Sequence, residues 1–508
     1  MRRAVSFLKR LLPAETPRGQ FVRRLIPGIR WSAARKGYRK YIRNEEPRLW
    51  TPRITAESPQ PLLSVVIPLF NTPERYLAPL VDSLINQSFP SFEVILADAS
   101  TEPARAADIR RRAALDDRFH YLRLATNAGI SANTNAAISL ASAPYVAFVD
   151  HDDILAREAL NEVAHRLMAD PTIDILYSDE DLLSEDGTHR RSPAFKPEWS
   201  PHLMLHCNFT NHLSVIRRSL IDGVGGLRPE FDGAQDFDLL LRLHDLNRPL
   251  NVGHIPLVLY HWRETAASTA RNITNKTYAV DAGRRAMAEH LNRVGVEFAS
   301  IDALPAPPGW LRVRPRWRVP VAVLCAGQAA TSMALVRRST RATVCTPLWL
   351  NQPDGLDLAA VPDDAQGVVI ILKSVTPLDP DWLDDMVGAL TIPGVAAVTP
   401  LLTGHDDVND EEMFGKLNPN ICRIRRLQQV GETAFTWPIN IVRDVPAITP
   451  SVLAIRRDKA RALNQDAMSA GDLITVPPSQ GNLVSWGLQR MVEVDSRASS
   501  ASQTGNPS

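Results

Sequence analysis

From Leu62 onward, apolar runs of strand length alternate with stretches whose apolar residues fall at helical spacing, and this alternation leaves few folds open. "LLSVVIPLF" reads as a buried strand, and "PERYLAPLVDSLINQS" follows with Leu77, Leu80, Val81, Leu84 and Ile85 on one helical face. "FEVILAD" is the next strand, and a connection of that length makes the two strands parallel. The pattern continues with a helix over Ala104 to Leu115, a short strand "FHYLRLA", a helix from near Ser131, a strand Tyr145 to Val149, a helix from Leu155 to Met168 and the strand "IDILYSDED". The expected class is α/β, an open, mostly parallel sheet flanked by helices. Ligands of such sheets collect beyond the carboxyl ends of the strands, at the switch point.

Acids stand at those ends. Asp98 closes one strand and Asp150 another, so both are expected to face the same crevice. The run Tyr145 to Val149 passes directly into Asp150, His151, Asp152 and Asp153. Mutual repulsion makes three carboxylates costly there unless a cation or a set of donors joins them. The first loop, "FNTPER", has no glycine, and no dinucleotide fingerprint or GxxxxGK[ST] loop occurs. A bound diphosphate then needs another counter-charge, which Mg²⁺ or Mn²⁺ held by Asp150, Asp152 and Asp153 supplies. The plainer role for such acids is to cap a helix N-terminus. Capping accounts in part for Asp153 and not for Asp150, which lies three positions earlier.

At 508 residues and 44% hydrophobic content the chain is long enough for two or three domains with substantial cores. Its charge is unevenly spread. Residues 1–43 hold thirteen Lys/Arg against the single acid Glu15, a net +12 that leaves −11 for the remainder. "VSFLKRLL" places Val5, Leu8, Leu11 and Leu12 on one helical face, the pattern of a helix lying in an anionic membrane surface. A basic tail broken by Pro13, Pro17 and Pro27 is the other reading. Nucleic acid is not an expected partner, because the rest of the chain is acidic and carries no reader motif. Four cysteines without a CxxC pair argue against a zinc site and a disulfide scaffold, so the cytoplasm is the expected compartment. No apolar run approaches the roughly 20 residues of a membrane span, and no signal-peptide pattern opens the chain. Membrane contact is therefore expected to be peripheral, at the inner face of the cell membrane.

Seven ordered segments, "SVVIPLFNTPERYL", "NAGISANTNAAI", "FVDHDDIL", "DILYSDEDLLSEDG", "FKPEWSPHLML", "GAQDFDLLLRL" and "VLYHWRETAASTA", together resemble glycosyltransferase family 2, which has the GT-A fold. The similarity covers about residues 60 to 300 and is nearest to the bacterial branch that builds O-antigen, capsule and other surface polysaccharides. It implies an inverting transfer from a nucleoside diphosphate sugar, with Mg²⁺ or Mn²⁺, to a hydroxyl of a growing glycan or a polyprenyl-linked acceptor. Carried onto this chain, it makes Asp150 and Asp152 metal ligands, with His261 completing the set. Pro68, Asn71, Asp98, Asn127 and Asp150 fall on the nucleotide side. Asp236 takes the general-base position at the start of a helix, preceded by Gly233 and Gln235. Asp153, Asp179, Glu180, Asp181, Gln235, Trp262 and Arg263 become donor or acceptor contacts.

Several of these have a plainer role beside them. "ADAST" is one residue shorter than the family form, and an Asx turn accounts for Asp98. A histidine after a strand is commonly structural, which covers His261. A solvated acidic turn covers part of "YSDED", and helix capping covers Asp236, with Asp238 in a supporting role.

After Leu304, "LPAPPGWLRVRPRWRVP" reads as a Pro-rich linker. Beyond it, a gapless shift of 223 positions lays "YVAFVDHDDILAREAL" on "VVIILKSVTPLDPDWL", so that Asp150 falls on Lys373, Asp152 on Val375 and Asp153 on Thr376. "PSVLAIRRDKARAL" likewise lies beside "NHLSVIRRSLIDGV". The expected organisation is a basic arm at 1–57, a catalytic GT-A domain at 58–303, a linker at 304–320, a degenerate GT-A-like domain at 321–497 without metal ligands or base, and a disordered tail at 498–508. Two other functions stay open: a non-catalytic scaffold of a polysaccharide assembly complex, and a sugar nucleotidylyltransferase, whose Gly-rich loop is missing after the first strand.

Overall fold

The computed structural model describes residues 37–56, 58–265, 277–304, 309–318, 320–326, 345–350, 361–371, 375–377, 381–403, 435–436, 442–445, 452–460 and 482–493. The residues expected to form a basic helix or tail before residue 37, Lys373 and residues 498–508 lie outside them.

The alternation from Leu62 forms as expected. β1 (Leu63–Leu69) and β2 (Phe92–Asp98) flank α1 (Glu74–Ile85), which buries Tyr76, Leu77, Leu80, Val81 and Leu84. α2 (Pro103–Ala113), β3 (Phe119–Arg123), α3 (Ile130–Leu140) and β4 (Tyr145–Phe148) follow. β3, β2, β1 and β4 lie side by side, all parallel. The chain order reverses between β1 and β4, the switch point at which such sheets open a crevice beyond the strands' carboxyl ends.

Beyond β4 the sheet becomes mixed. β6 (Ile175–Leu183) and β8 (Ser214–Arg217) run antiparallel to each other, and β8 runs antiparallel to β4. β7 (Arg190–Phe195) pairs antiparallel with β6, while β9 (Val252–Arg263) pairs parallel with it. α5 (Arg218–Gly223) and α6 (Gln235–His244) lie between β8 and β9 in the chain. The helix expected from Leu155 begins later, as α4 (Ala159–Ala169), because β5 (Ile154–Leu155) pairs with Tyr260 and His261 of β9.

Residues 37–56, expected within the basic arm, pack against this sheet and its helices. Tyr41 is 2% exposed and stacks on Tyr38 with ring centroids 5.8 Å apart. Glu46 accepts two bonds from the Arg190 guanidinium, at 2.8 and 2.7 Å, and the Tyr38 hydroxyl donates to Asp181 at 2.6 Å. The Thr51 and Ile54 amides donate to Glu162 and Asn161 of α4, at 2.6 and 2.9 Å. Burying Arg190, Glu46 and Asp181 together is tolerable only because each charge meets an opposite one.

The stretch read as a linker includes a strand. α7 (Thr277–Arg293) is followed by a hairpin of β10 (Phe298–Ala303) and β11 (Leu311–Pro315), and β11 alternates buried and half-buried residues as a strand does. The chain divides into two compact units, the first of residues 1–199, 208–282 and 420–437 and the second of residues 200–207, 283–419 and 438–508.

The second unit has its own sheet of β12 (Val321–Ala326), β13 (Cys345–Leu350), β14 (Gly367–Ile371), β15 (Val375–Pro377), β16 (Val395–Thr403), β19 (Val452–Arg456) and β20 (Asn482–Glu493), with β18 (Val442–Val445) on β20. In the order β13-β12-β14-β19-β16-β20-β15 the successive pairs are parallel, parallel, antiparallel, antiparallel, parallel and antiparallel. The first unit shows the same series in the order β2-β1-β4-β8-β6-β9-β5. α8 (Trp382–Ala389) stands between β15 and β16 as α4 stands between β5 and β6. Among the described residues no helix is long and apolar enough to cross a membrane.

Replacing Arg190 by Ala leaves Glu46 and Asp181 buried beside each other. Urea denaturation should show a loss of about 3–5 kcal/mol, whereas a surface change such as Arg111→Ala should stay within about 0.5 kcal/mol.

Candidate active site

A cavity of about 90 Å³ lies beyond the carboxyl ends of β1 and β4 and brings Pro68, Asp150, Gln235 and Asp236 together. Asn211 and His212, which the sequence reading quoted without singling out, line it as well. Asp236 stands in the first turn of α6. Its carboxylate accepts from the side-chain amides of Asn208, at 3.0 Å, and Asn211. Burial raises its pKa against the opposing effect of the Phe237 amide. Gln235 does not reach a neighbour across the cavity: it accepts from the Gly233 amide at 2.8 Å and so shapes the turn into the helix. Gly233 has φ +94°, and a Cβ there would meet Tyr278. Asp238 is buried between Arg228 and Arg242 and supports the helix.

The DHDD turn is anchored to β9 from below. Asp153 is fully buried; it accepts the Tyr260 hydroxyl and the Arg263 amide, both at 2.6 Å. That is neither the helix cap nor the donor contact expected of it, since α4 starts six residues later and Asp153 presents no surface. The Asp150 amide donates to the Tyr260 hydroxyl at 3.1 Å, which leaves the half-exposed Asp150 carboxylate facing the cavity. Asp152 is off the cavity wall, and burial followed by the charge of Asp150 raises its pKa despite His151. Arg263, expected at the leaving group, is buried instead, donating from Nε to the Asp152 carbonyl at 2.6 Å and from Nη1 to the Glu185 carbonyl at 3.1 Å. Trp262 is half-buried with its ring 5.6 Å from His212.

The three acids of "YSDED" each face a histidine. Asp179 pairs with His254 at 2.9 Å, Glu180 with His212 at 2.9 Å and Asp181 with His261 at 2.7 Å. Strand alternation sends Glu180 to the opposite side from its neighbours. Asp179 and Asp181 are buried against β9, so neither is the solvated turn or the open contact expected. Burial works against ionisation of Glu180, but Lys196 and His212 outweigh it and hold its pKa below the usual range. Lys196 itself is pushed down to about 8 by burial. His261 meets Asp181 through Nδ1, an arrangement that turns Nε2 the other way, as in metal-binding histidines. Asp150, Asp152 and His261 are nevertheless not gathered into a set of three ligand atoms.

The remaining expected residues lie on the loops around the crevice. Asp98 is fully buried; Ser100 donates to it at 2.8 Å in an Asx turn, and the Tyr121 hydroxyl covers its other oxygen at 2.7 Å. Asn71, at φ +49°, accepts from the Thr101 and Glu102 amides at 2.9 and 3.0 Å and joins the loops after β1 and β2. Asn127 is exposed and accepts from Asn133 at 2.9 Å before α3.

Residues 64–225 match the family model described as Glycosyl transferase family 2. The chain carries a glycosyltransferase family 2 domain. This glycosyltransferase domain contains the cavity lining from Pro68 to Ile216, and Gln235 and Asp236 follow shortly after it. The chain is 32% identical over 377 residues to uncharacterized protein y4gI of Sinorhizobium fredii, covering 66% of this chain and 41% of that protein. It is 37% identical over 278 residues to O-antigen biosynthesis protein RfbC of Myxococcus xanthus, covering 54% of this chain and 21% of that protein. The matches thus span less than half the length of either relative. The crystal structure of S. aureus TarS 1-349 aligns at 22% identity over 46% of this chain and 71% of that one, with a TM-score of 0.33.

In the glycosyltransferase domain, Asp153→Ala strips the acceptor from two buried donors. The midpoint of chemical denaturation should fall by an amount equivalent to about 2–4 kcal/mol, with the slope unchanged.

Proposed function

We propose that the first unit transfers a sugar, with inversion, from a nucleoside diphosphate sugar to a hydroxyl of a growing surface glycan or a polyprenyl-linked oligosaccharide. The observation that carries this reading is the single cavity, at the switch point of the sheet, that holds Asp150 on one wall and Asp236 on another. The acceptor oxygen attacks the anomeric carbon opposite the leaving group. The bond from that carbon to the diphosphate oxygen breaks, the diphosphate leaves with the electron pair, and Asp236 takes the hydroxyl proton. Two asparagine amides orient the Asp236 carboxylate, and its raised proton affinity suits a base.

The residues fit a divalent cation. Asp150 and Asp152 are hard oxygen donors; burial and then the charge of Asp150 raise the pKa of Asp152, and Mg²⁺ or Mn²⁺ would relieve that repulsion. The ion supplies positive charge to the departing diphosphate. Pro68 lies on the nucleotide side of the cavity, with Asn71, Asp98 and Asn127 in the loops about it. The work is done at the inner face of the cell membrane, where the cationic residues before residue 44 meet anionic lipid. The second unit is a duplicated copy without the acids: the matching pairing series supports this, as does the alignment of Asp152 with Val375.

Calorimetry with UDP-, GDP- and dTDP-sugars, with and without Mn²⁺, tests the reading. One donor should bind in a Mn²⁺-dependent way, and Asp152→Ala should weaken it. Asp236→Asn should lower turnover by roughly 10²–10⁴-fold while leaving donor binding intact; wild-type turnover in that variant would remove Asp236 from the base role.

A further inference from the structure

Of the three carboxylate–histidine pairs on β6, two are closed between β6 and β9, and only Glu180–His212 opens onto the cavity. His212 is held through both its backbone and its ring. Glu180 Oε2 accepts from its backbone amide at 2.7 Å and meets Nδ1 at 2.9 Å. The ring lies almost flat on Tyr260, with centroids 4.8 Å apart and planes 20° apart. Lys196 Nζ donates to the His212 carbonyl at 2.7 Å. The one ring atom left to act is Nε2, and it stands 3.6 Å from Oδ2 of Asp150.

A carboxylate at each ring nitrogen suits the doubly protonated ring, in which Nδ1–H donates to Glu180 and Nε2–H points to Asp150. Tyr260 serves both ends of this arrangement: its ring carries His212, and its hydroxyl accepts the Asp150 amide. We infer that His212 is a positioning residue, oriented by Glu180 and Tyr260, that steadies the Asp150 carboxylate for the cation and diphosphate of the donor. The inference rests on the reading above that Asp150 faces the donor. It also gives Glu180 a task one layer behind the cavity, in place of the direct contact expected from the sequence.

The test is Mn²⁺ and nucleotide binding to the full-length chain, measured by calorimetry with UDP, GDP and dTDP. His212→Ala should weaken Mn²⁺-dependent nucleotide binding about 10- to 100-fold. His212→Gln, which keeps an N–H near the place of Nε2, should recover part of the loss. A purely structural role would not distinguish Gln from Ala in this way. Thermal unfolding of each variant identifies misfolding, and Glu180→Gln, which keeps the hydrogen-bond acceptor and removes the charge, should give an intermediate loss. Wild-type affinity in His212→Ala, with the wild type binding normally, overturns the inference and leaves the proposed function standing. If the wild type binds none of the three nucleotides, the proposed function falls and this inference with it.

Discussion

The first unit is organised around one buried carboxylate. Asp153 accepts from Tyr260 and from the Arg263 amide, and Tyr260 in turn accepts the Asp150 amide. An acid buried to this degree is costly to ionise, and its pKa is raised well above the usual range by burial and by the neighbouring Asp150 and Asp152. Two donors at 2.6 Å offset part of that cost. Their effect is to tie the turn after β4 to the far end of β9. The position of Asp150 in the cavity, the stacking surface beneath His212 and the seating of Arg263 all follow from this tie.

The layout of the sheet was legible because buried strands and amphipathic helices leave different periods in the sequence. β1, β2, β4 and α1 form where the spacing of apolar residues puts them. Asp150 and Asp236 were legible too, as acids at the end of a strand and at the start of a helix. The pairing of distant side chains was not. Nothing local to "YSDED" says that its three acids meet histidines 75, 32 and 80 residues away. Only the register of β6 against β9 and the segment before β8 bring them together. For the same reason Arg263 looked free to meet a phosphate, whereas two backbone carbonyls engage it. The role of Tyr38 and Glu46 was hidden because their partners lie more than 140 residues on.

The second sheet shows what is separable in such a fold. Its pairing series matches that of the first, and β14 and β19 are wholly or largely buried like their counterparts. Packing of such a sheet depends on the strand interior, whereas chemistry depends on the residues just past it, so the two can vary separately.

The alternation along β6 has a further consequence for how this chain tolerates length changes. Asp179 and Asp181 belong between strands and Glu180 belongs toward the cavity. Losing or gaining a single residue inside β6 would exchange those faces, leaving two acids without their histidines and turning the cavity side over to a residue meant for the interior. The turn at Ser184–His189, closed by its own hydrogen bonds, is bound by no such parity. Insertions and deletions in this stretch of the chain should therefore accumulate after Leu183 and be excluded before it.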